Sequence, residues 1–234
     1  MSDIRLGIYP LSYEEVTDPY FLRSVVYPDM RRNYYWSKDF SADFYIAQAK
    51  AGFIAVTDRF EGEELLIPEM QFSYMLLDFQ HLHISRKVRR IISKRSPQLI
   101  VTENIDPIIE RIRRYHRSCW LTPRYRDTLL DTKGVENDFR VVAAYVEEDE
   151  KIVSGEIGYI IADTYTSLSG FSSKEKEYAG YGTLQLVLLA RYLEENGFAF
   201  WNLGQSYMPY KFALGARKYD RFAFLKRWLP HIYP

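Results

Sequence analysis

The densest chemistry in this sequence is a run of cations. Between Arg86 and Arg126 stand twelve Lys and Arg (86, 87, 89, 90, 94, 95, 111, 113, 114, 117, 124 and 126) against three acids, Glu103, Asp106 and Glu110, a local charge of +9. The whole chain has 31 Lys and Arg, 31 Asp and Glu and a formal net charge of zero. A neutral protein that gathers its cations into one block presents a surface suited to a polyanion, because a solvated helix face ordinarily mixes both signs. A second feature is Glu177-Tyr178-Ala179-Gly180-Tyr181-Gly182, a glycine turn of the kind that cradles phosphate at a helix N-terminus. It opens on an acid, which repels phosphate, so the glycines equally suit close packing. The four histidines (81, 83, 116 and 231) never pair with cysteine at metal-ligand spacing. No metal or cofactor is expected. Cys119 is the one cysteine, which excludes an intramolecular disulfide and suits a reducing cytoplasm.

These groups need elements to hold them. Ile152–Ile161 and Tyr165–Phe171 are short, rich in β-branched and aromatic residues, and read as neighbouring strands. Leu184, Val187, Leu188 and Tyr192 then recur at helical spacing, with Leu186, Leu189 and Ala190 filling the other side, so this helix is buried. Gly197 marks its end, and a short strand follows to Gln205. Strand, strand, turn, buried helix, strand is an order similar to that of acetyltransferase-like (GNAT-type) cores. Upstream, Arg140–Val146 reads as a strand and Glu147–Lys151 as a hairpin turn into the core. Ser85 caps a helix with Val88, Ile91 and Ile92 inward and Arg86, Lys87, Arg89, Arg90, Lys94 and Arg95 around the rest. Asp106-Pro107 opens another, with Ile108, Ile109 and Ile112 inward and Arg111, Arg113, Arg114 and Arg117 outward. Ser41 caps a helix toward Gly52, Phe53–Val56 is a strand, and charged Asp58–Glu64 reads as a hairpin loop before Leu65-Leu66-Ile67 and Phe72–Leu77. The division expected is an N-terminal α+β lobe (1–80), a basic helical segment (81–138) and a mixed-sheet catalytic core (139–234), in an α/β (α+β) fold. There is no membrane-length apolar run, and Met1-Ser2-Asp3-Ile4-Arg5 lacks the apolar core of a secretory signal.

At Leu82-His83-Ile84-Ser85-Arg86-Lys87 the chain resembles the leucyl/phenylalanyl-tRNA–protein transferases, whose Leu-His-Ile/Val-Ser-Arg-Ser is followed by basic residues. The likeness continues through Asp39-Phe40-Ser41 to Gly52-Phe53, Cys119-Trp120-Leu121-Thr122, Ile152-Val153-Ser154-Gly155, Phe171-Ser172, and Gln205 followed by Leu214-Gly215-Ala216. It covers roughly residues 36–228, in order. The resemblance implies transfer of an aminoacyl group from the 3′ acceptor end of a charged tRNA to the α-amine of a protein N-terminus, the mark of N-degron degradation. The chain is then expected to be cytoplasmic and monomeric, with no membrane partner. By resemblance Gln205 lies at the reacting centre, with Asn202 open as a helper, and Trp120 is part of the wall around the terminal adenosine and the aminoacyl group. The tRNA would lie on Arg86, Lys87, Arg89, Arg90, Lys94, Arg95, Arg113 and Arg114.

Departures from the family pattern carry as much information. The acid of its Asp-Cys-Gln is Leu203 here, and that of its Gly-Glu-Ser-Met-Phe-Ser is Leu168, beside Ser169. A methionine of the apolar aminoacyl pocket is Glu156, and a phenylalanine farther along it is Tyr165. An unpaired carboxylate in a pocket for Leu or Phe costs several kcal/mol, so a site that keeps one should hold a cation. Arginine is the donor this favours, its guanidinium pairing with Glu156. The alternatives are leucyl or phenylalanyl transfer to basic N-termini, an acyl-CoA N-acetyltransferase, and a tRNA-binding protein without catalysis.

Overall fold

The structure is a computed structural model and describes residues 8–116 and 119–233. Arg117 of the basic block and the Met1–Arg5 segment lie outside the described residues. The N-terminal part holds β1 (Tyr9–Pro10), α1 (Tyr13–Thr17), α2 (Pro19–Phe21), β2 (Tyr35–Trp36), α3 (Ala42–Lys50) and the hairpin β3 (Ile54–Phe60) to β4 (Glu63–Glu69). Next come β5 (Ser73–Leu77), α4 (Arg86–Arg95), β6 (Leu99–Thr102), α5 (Asp106–Tyr115) and α6 (Pro123–Asp131). The remainder is β7 (Phe139–Glu148), β8 (Lys151–Ile161), β9 (Thr164–Ser172), α7 (Tyr181–Glu195), β10 (Phe200–Gln205), α8 (Pro209–Ala213), β11 (Arg217–Asp220) and α9 (Arg221–Ile232).

Local chemistry explains most of these boundaries. Ser41, Ser85 and Thr122 each accept a hydrogen bond from a backbone N–H of the first turn that follows, and so start α3, α4 and α6. Asp149 and Glu150 both take positive φ between β7 and β8, the mirror-image turn that matches strand twist. The charged Asp58–Glu64 stretch is mostly strand rather than loop. Asp58 pairs with Leu65, Arg59 with Glu64 and Phe60 with Glu63, because this end of the hairpin lies in solvent, where charge does not oppose pairing.

Two compact units share the chain out of sequence order. One takes the residues up to Ser73, Trp120–Glu136 and Asp220 onward; the other takes Tyr74–Cys119 and Asn137–Tyr219. Boundaries at 80 and 138 therefore do not coincide with these units. Strand β5 joins the second because it pairs with β10, a long-range pairing invisible in sequence order. Helix α9 joins the first because Arg221 is bound there.

In the first unit, Phe44, Tyr45, Ile46, Phe53, Leu66 and Trp228 are fully buried. The Tyr45 and Tyr125 hydroxyls meet at 2.8 Å, and Tyr125 donates to the Ala55 carbonyl at 2.9 Å. Arg221 is wholly buried as well, and its guanidinium donates only to main-chain carbonyls among the bonds described below.

The second unit is a mixed sheet in the order β11-β5-β10-β9-β8-β7-β6. All neighbours from β5 to β6 are antiparallel except β9 and β10, which are parallel and joined through α7, as a parallel pair requires. Val142, Ala144, Val146, Ile160, Tyr165, Trp201 and Leu203 of the sheet pack with Leu184, Val187 and Leu189 of α7 in one core. Helix α5 packs on β8 and β9, its buried Ile108, Ile109 and Ile112 lying outside that core, on the sheet's other face. Among the described residues no helix is long and apolar enough to cross a membrane.

Candidate active site

The sheet opens between its two parallel strands. The β9–β10 ladder pairs Phe200 with Thr164, Trp201 with Tyr165 and Asn202 with Thr166, and goes no further. Both strands continue, β9 to Ser172 along β8 and β10 to Gln205 along β5. From there the strands part, with Ser167 and its successors on one side and Leu203-Gly204-Gln205 on the other, and this parting of the ladder is the candidate cleft. A parallel pair that parts exposes backbone groups that other groups must satisfy.

Glu156 sits on β8 beside this cleft, 4% exposed and facing α7. Its Oε1 accepts from the Ser167 hydroxyl at 2.6 Å and the Tyr165 hydroxyl at 3.0 Å; its Oε2 takes a 3.5 Å contact from the Gln185 amide. Ser167 in turn accepts from Trp201 Nε1 at 2.8 Å, so three strands and a helix converge on one carboxylate. Tyr165 reaches it by lying flat across Gly158: a Cβ there would stand 2.4 Å from the tyrosine oxygen and 2.5 Å from Cζ. Glycine at 158 is thus a requirement of this network.

Burial pushes the Glu156 carboxyl up to about 7, against the lowering effect of the Ser167, Tyr165 and Gln185 hydrogen bonds and the positive charge of Lys211. The same burial, with the adjacent carboxylate, raises the Tyr165 phenol well above its ordinary range. The folded protein therefore binds this proton more tightly than the unfolded chain does. The resulting stabilisation is complete below the unfolded value of 4.5 and lost as pH rises through about 7. Between about pH 4 and about pH 8 the unfolding free energy of the wild type, relative to Glu156→Gln, is expected to fall by on the order of 3 kcal/mol. Urea titrations of both proteins across that range measure it.

Across the cleft, β10 ends irregularly, its register against β5 shifting between Asn202 and Gln205. Asn202 is buried and its Oδ1 accepts from Gly204 N at 2.9 Å, a local loop that bends the strand. Gln205 is half-buried and its Oε1 accepts from the Tyr207 hydroxyl. Lys211 of α8 is 3% exposed, and its Nζ donates to the carbonyls of Leu203 at 2.5 Å and Gln205 at 2.8 Å. Burial brings the Lys211 ammonium down to about 8, opposed by the charge of Glu156.

The arginines reach two places. Arg86, Lys87, Arg89, Arg90, Lys94 and Arg95 are exposed on α4, which packs on α7. The turn before α4 is tied to the residues after α8, His83 N donating to the Leu214 carbonyl at 2.8 Å. Basic α4 thus starts next to the segment that carries Lys211. Arg113 and Arg114 are exposed on α5, which rests on the other face of β8 and β9, so the two basic helices do not share a support. Arg95 bonds Glu148 at 2.9 Å and Arg114 pairs with Glu110.

Of the predicted site residues, the structure brings Glu156 and Tyr165 into direct contact and puts Asn202 and Gln205 on the opposite lip. Leu168 is the extra residue of a bulge, since Gly158 pairs with Ser167 and Ile157 with Ser169. The bulge reverses the alternation, so Ser169 shares a face with Ile157 rather than with Glu156. Trp120 belongs to the first unit, where its ring meets Tyr125 edge-on at 5.0 Å and its carbonyl accepts from Thr57. Sequence reasoning missed Gln185, Ser167, Trp201 and Lys211. Gln185 had a signal, a lone amide on the inward side of an apolar helix. No cluster of three or more His, Cys, Asp or Glu that could hold a metal is found among the described residues.

A model of the leucyl/phenylalanyl-tRNA protein transferase family matches residues 76–228, well over half of the sequence. The chain belongs to this family, and so to a family of enzymes that transfer an aminoacyl group. No curated protein matches the chain. Solved structures similar to it include the C-terminal domain of a putative lysylphosphatidylglycerol synthetase from Agrobacterium fabrum, at 15% identity over 74% of this chain and 54% of that one, TM-score 0.41. This chain thus spans about half the length of that domain. FemX is similar at 10% identity over 80% of this chain and 70% of that one, TM-score 0.43. A GCN5-related N-acetyltransferase from Kribbella flavida shows 12% identity over 89% of this chain and 73% of that one, TM-score 0.39.

Proposed function

We propose that this enzyme moves an aminoacyl group from tRNA to the α-amine of an acceptor polypeptide, at the cleft between β9 and β10. The amine nitrogen attacks the ester carbonyl, the C–N bond forms, and the C–O bond to the terminal ribose breaks. The ribose hydroxyl leaves with the proton the amine sheds. The ester is already activated, so the protein's task is to align the amine and polarise the carbonyl. Gln205 on the cleft lip is the group for that task. The tRNA lies along α4, whose exposed arginines adjoin the α8 segment through the His83–Leu214 bond.

The donor amino acid we favour is basic, arginine first, and one observation carries this: the buried carboxylate of Glu156 beside the cleft. Among the described residues its Oε2 has only the long Gln185 contact and so keeps acceptor capacity for a guanidinium. A second reading, leucine or phenylalanine, draws support from Lys211, whose charge attracts the same carboxylate from within the protein. Arginyl transfer goes with acidic acceptor N-termini and leucyl or phenylalanyl transfer with basic ones, in either case marking the acceptor for N-degron degradation in the cytoplasm. Arg-, Lys-, Leu- and Phe-tRNA assayed against peptides that begin with Asp, Glu, Arg or Lys decide between them. Leucyl transfer without arginyl transfer would eliminate the basic donor.

Delivery and selection separate by mutation. Charge reversal at Arg89 and Arg90 is expected to weaken tRNA binding about tenfold or more whatever amino acid is attached, and to flatten its salt dependence. Charge reversal at Glu156 is expected to change which charged tRNA is used while leaving affinity for uncharged tRNA in place. Filter binding across a salt series, alongside the transfer assay, reads both. A thermal shift with acetyl-CoA but none with tRNA would instead favour an acyl-CoA enzyme.

A further inference from the structure

We propose that Lys211 is a positioning residue: its ammonium clamps the two main-chain carbonyls that bracket Gly204, and so fixes the direction in which Gln205 enters the cleft. The inference rests on Gln205 being the group that meets the substrate.

The geometry begins where β10 leaves β9. The β9–β10 ladder runs to the Asn202–Thr166 pair, and the register of β10 on β5 shifts before Gln205 meets Tyr74. Gly204 takes φ of +70, a conformation most side chains resist, so this stretch turns where a regular strand would run straight. A turned strand end does not by itself hold a side chain to a fraction of an ångström. Two groups brace it: Asn202 Oδ1 takes the Gly204 N–H at 2.9 Å, and Lys211 Nζ takes the carbonyls on either side at 2.5 and 2.8 Å. Lys211 lies six residues beyond Gln205, in a five-residue helix, and so closes a short covalent loop back onto the strand end.

Core filling does not account for a lysine here. A buried ammonium costs far more than a leucine or methionine of similar volume unless it is hydrogen-bonded and matched by charge. Two carbonyls accept from it, and the charge of Glu156 works in the direction that keeps it protonated.

The test is Lys211→Met, which keeps the volume and removes the donors, assayed with charged tRNA and an acceptor peptide beside Gln205→Ala. The clamp predicts a kcat lower by about 100-fold, the scale of a misplacement of about 1 Å. It also predicts a KM for aminoacyl-tRNA within about threefold of wild type, because delivery is untouched. Wild-type kcat in Lys211→Met, or a loss no larger than the fall in folded fraction, overturns the clamp while an inactive Gln205→Ala leaves the reading of Gln205 standing. Should Lys211→Met not fold, Gly204→Ala decides, since it strains the same turn with Lys211 in place. A kcat loss at constant KM supports the clamp, and wild-type kcat overturns it. Full transfer by Gln205→Ala overturns the reading of Gln205 and the clamp together.

Discussion

Arg221→Met is expected to lower the stability of the first compact unit by about 4 kcal/mol, among the largest losses a single substitution produces. The guanidinium is wholly buried at the start of α9. Nε donates to the Gln71 carbonyl at 3.1 Å; one terminal nitrogen serves Val26 at 3.3 Å and Asp29 at 2.6 Å; the other serves Arg32 at 2.8 Å and Met70 at 2.5 Å. Five carbonyls from two separate stretches of chain thus converge on one rigid fork of five N–H groups. Methionine fills the volume and returns none of those bonds, and each buried carbonyl left without a donor costs about 1–3 kcal/mol before relaxation. Lysine keeps the charge but offers three donors on one atom, so Arg221→Lys should recover only part of the loss. Urea unfolding followed by near-UV circular dichroism reports it, tryptophan and tyrosine of this unit being packed nearby. A loss below about 1 kcal/mol would show that the carbonyls find other partners.

Arg221 also marks the boundary of what the sequence discloses. Helix caps, hairpin turns and the buried helix α7 are local events, and Ser41, Ser85, Asp149-Glu150 and Gly197 announce them through residue type alone. The mixed sheet followed from the order of those elements. The partition into units did not, because the pairing of Tyr74–Leu77 with β10 and the binding of Arg221 to carbonyls some 150 to 195 residues earlier leave no periodic trace. The site divides in the same way. Glu156 stood out as a departure from the family pattern, and Gln205 through its match to that pattern. Lys211 did not, since a lysine in a short helix is by default a solvated one. Its burial goes with its bonds to the carbonyls of Leu203 and Gln205, a three-dimensional fact. The facing of Ser169 has a related cause: alternation along a strand is legible, whereas the bulge at Leu168 that inverts it depends on the partner strand.

Gln205→Ala is expected to lower kcat for aminoacyl transfer by about 1,000-fold with tRNA affinity unchanged, the loss typical when one preorganised donor to a developing oxyanion is removed. The side chain is an amide, able both to donate and to accept, and its Oε1 already accepts from Tyr207. An ester carbonyl would accept from the NH₂ end, whereas an incoming amine would donate to Oε1. Gln205→Glu separates the two roles. It preserves size and the acceptor for Tyr207 but replaces the N–H donors with a negative charge beside a forming oxyanion. Polarisation by the amide predicts that Glu is as inactive as Ala, or worse. Orientation of the amine by a side-chain oxygen predicts that Glu retains much of the rate, because a carboxylate accepts from an amine at least as well. Tyr207→Phe should then cost only about tenfold, since it loosens Gln205 without removing it. Single-turnover rates with saturating aminoacyl-tRNA distinguish these cases. A carboxylate variant near wild-type rate would move Gln205 from the carbonyl to the amine and leave the oxyanion to main-chain donors at the parted strands.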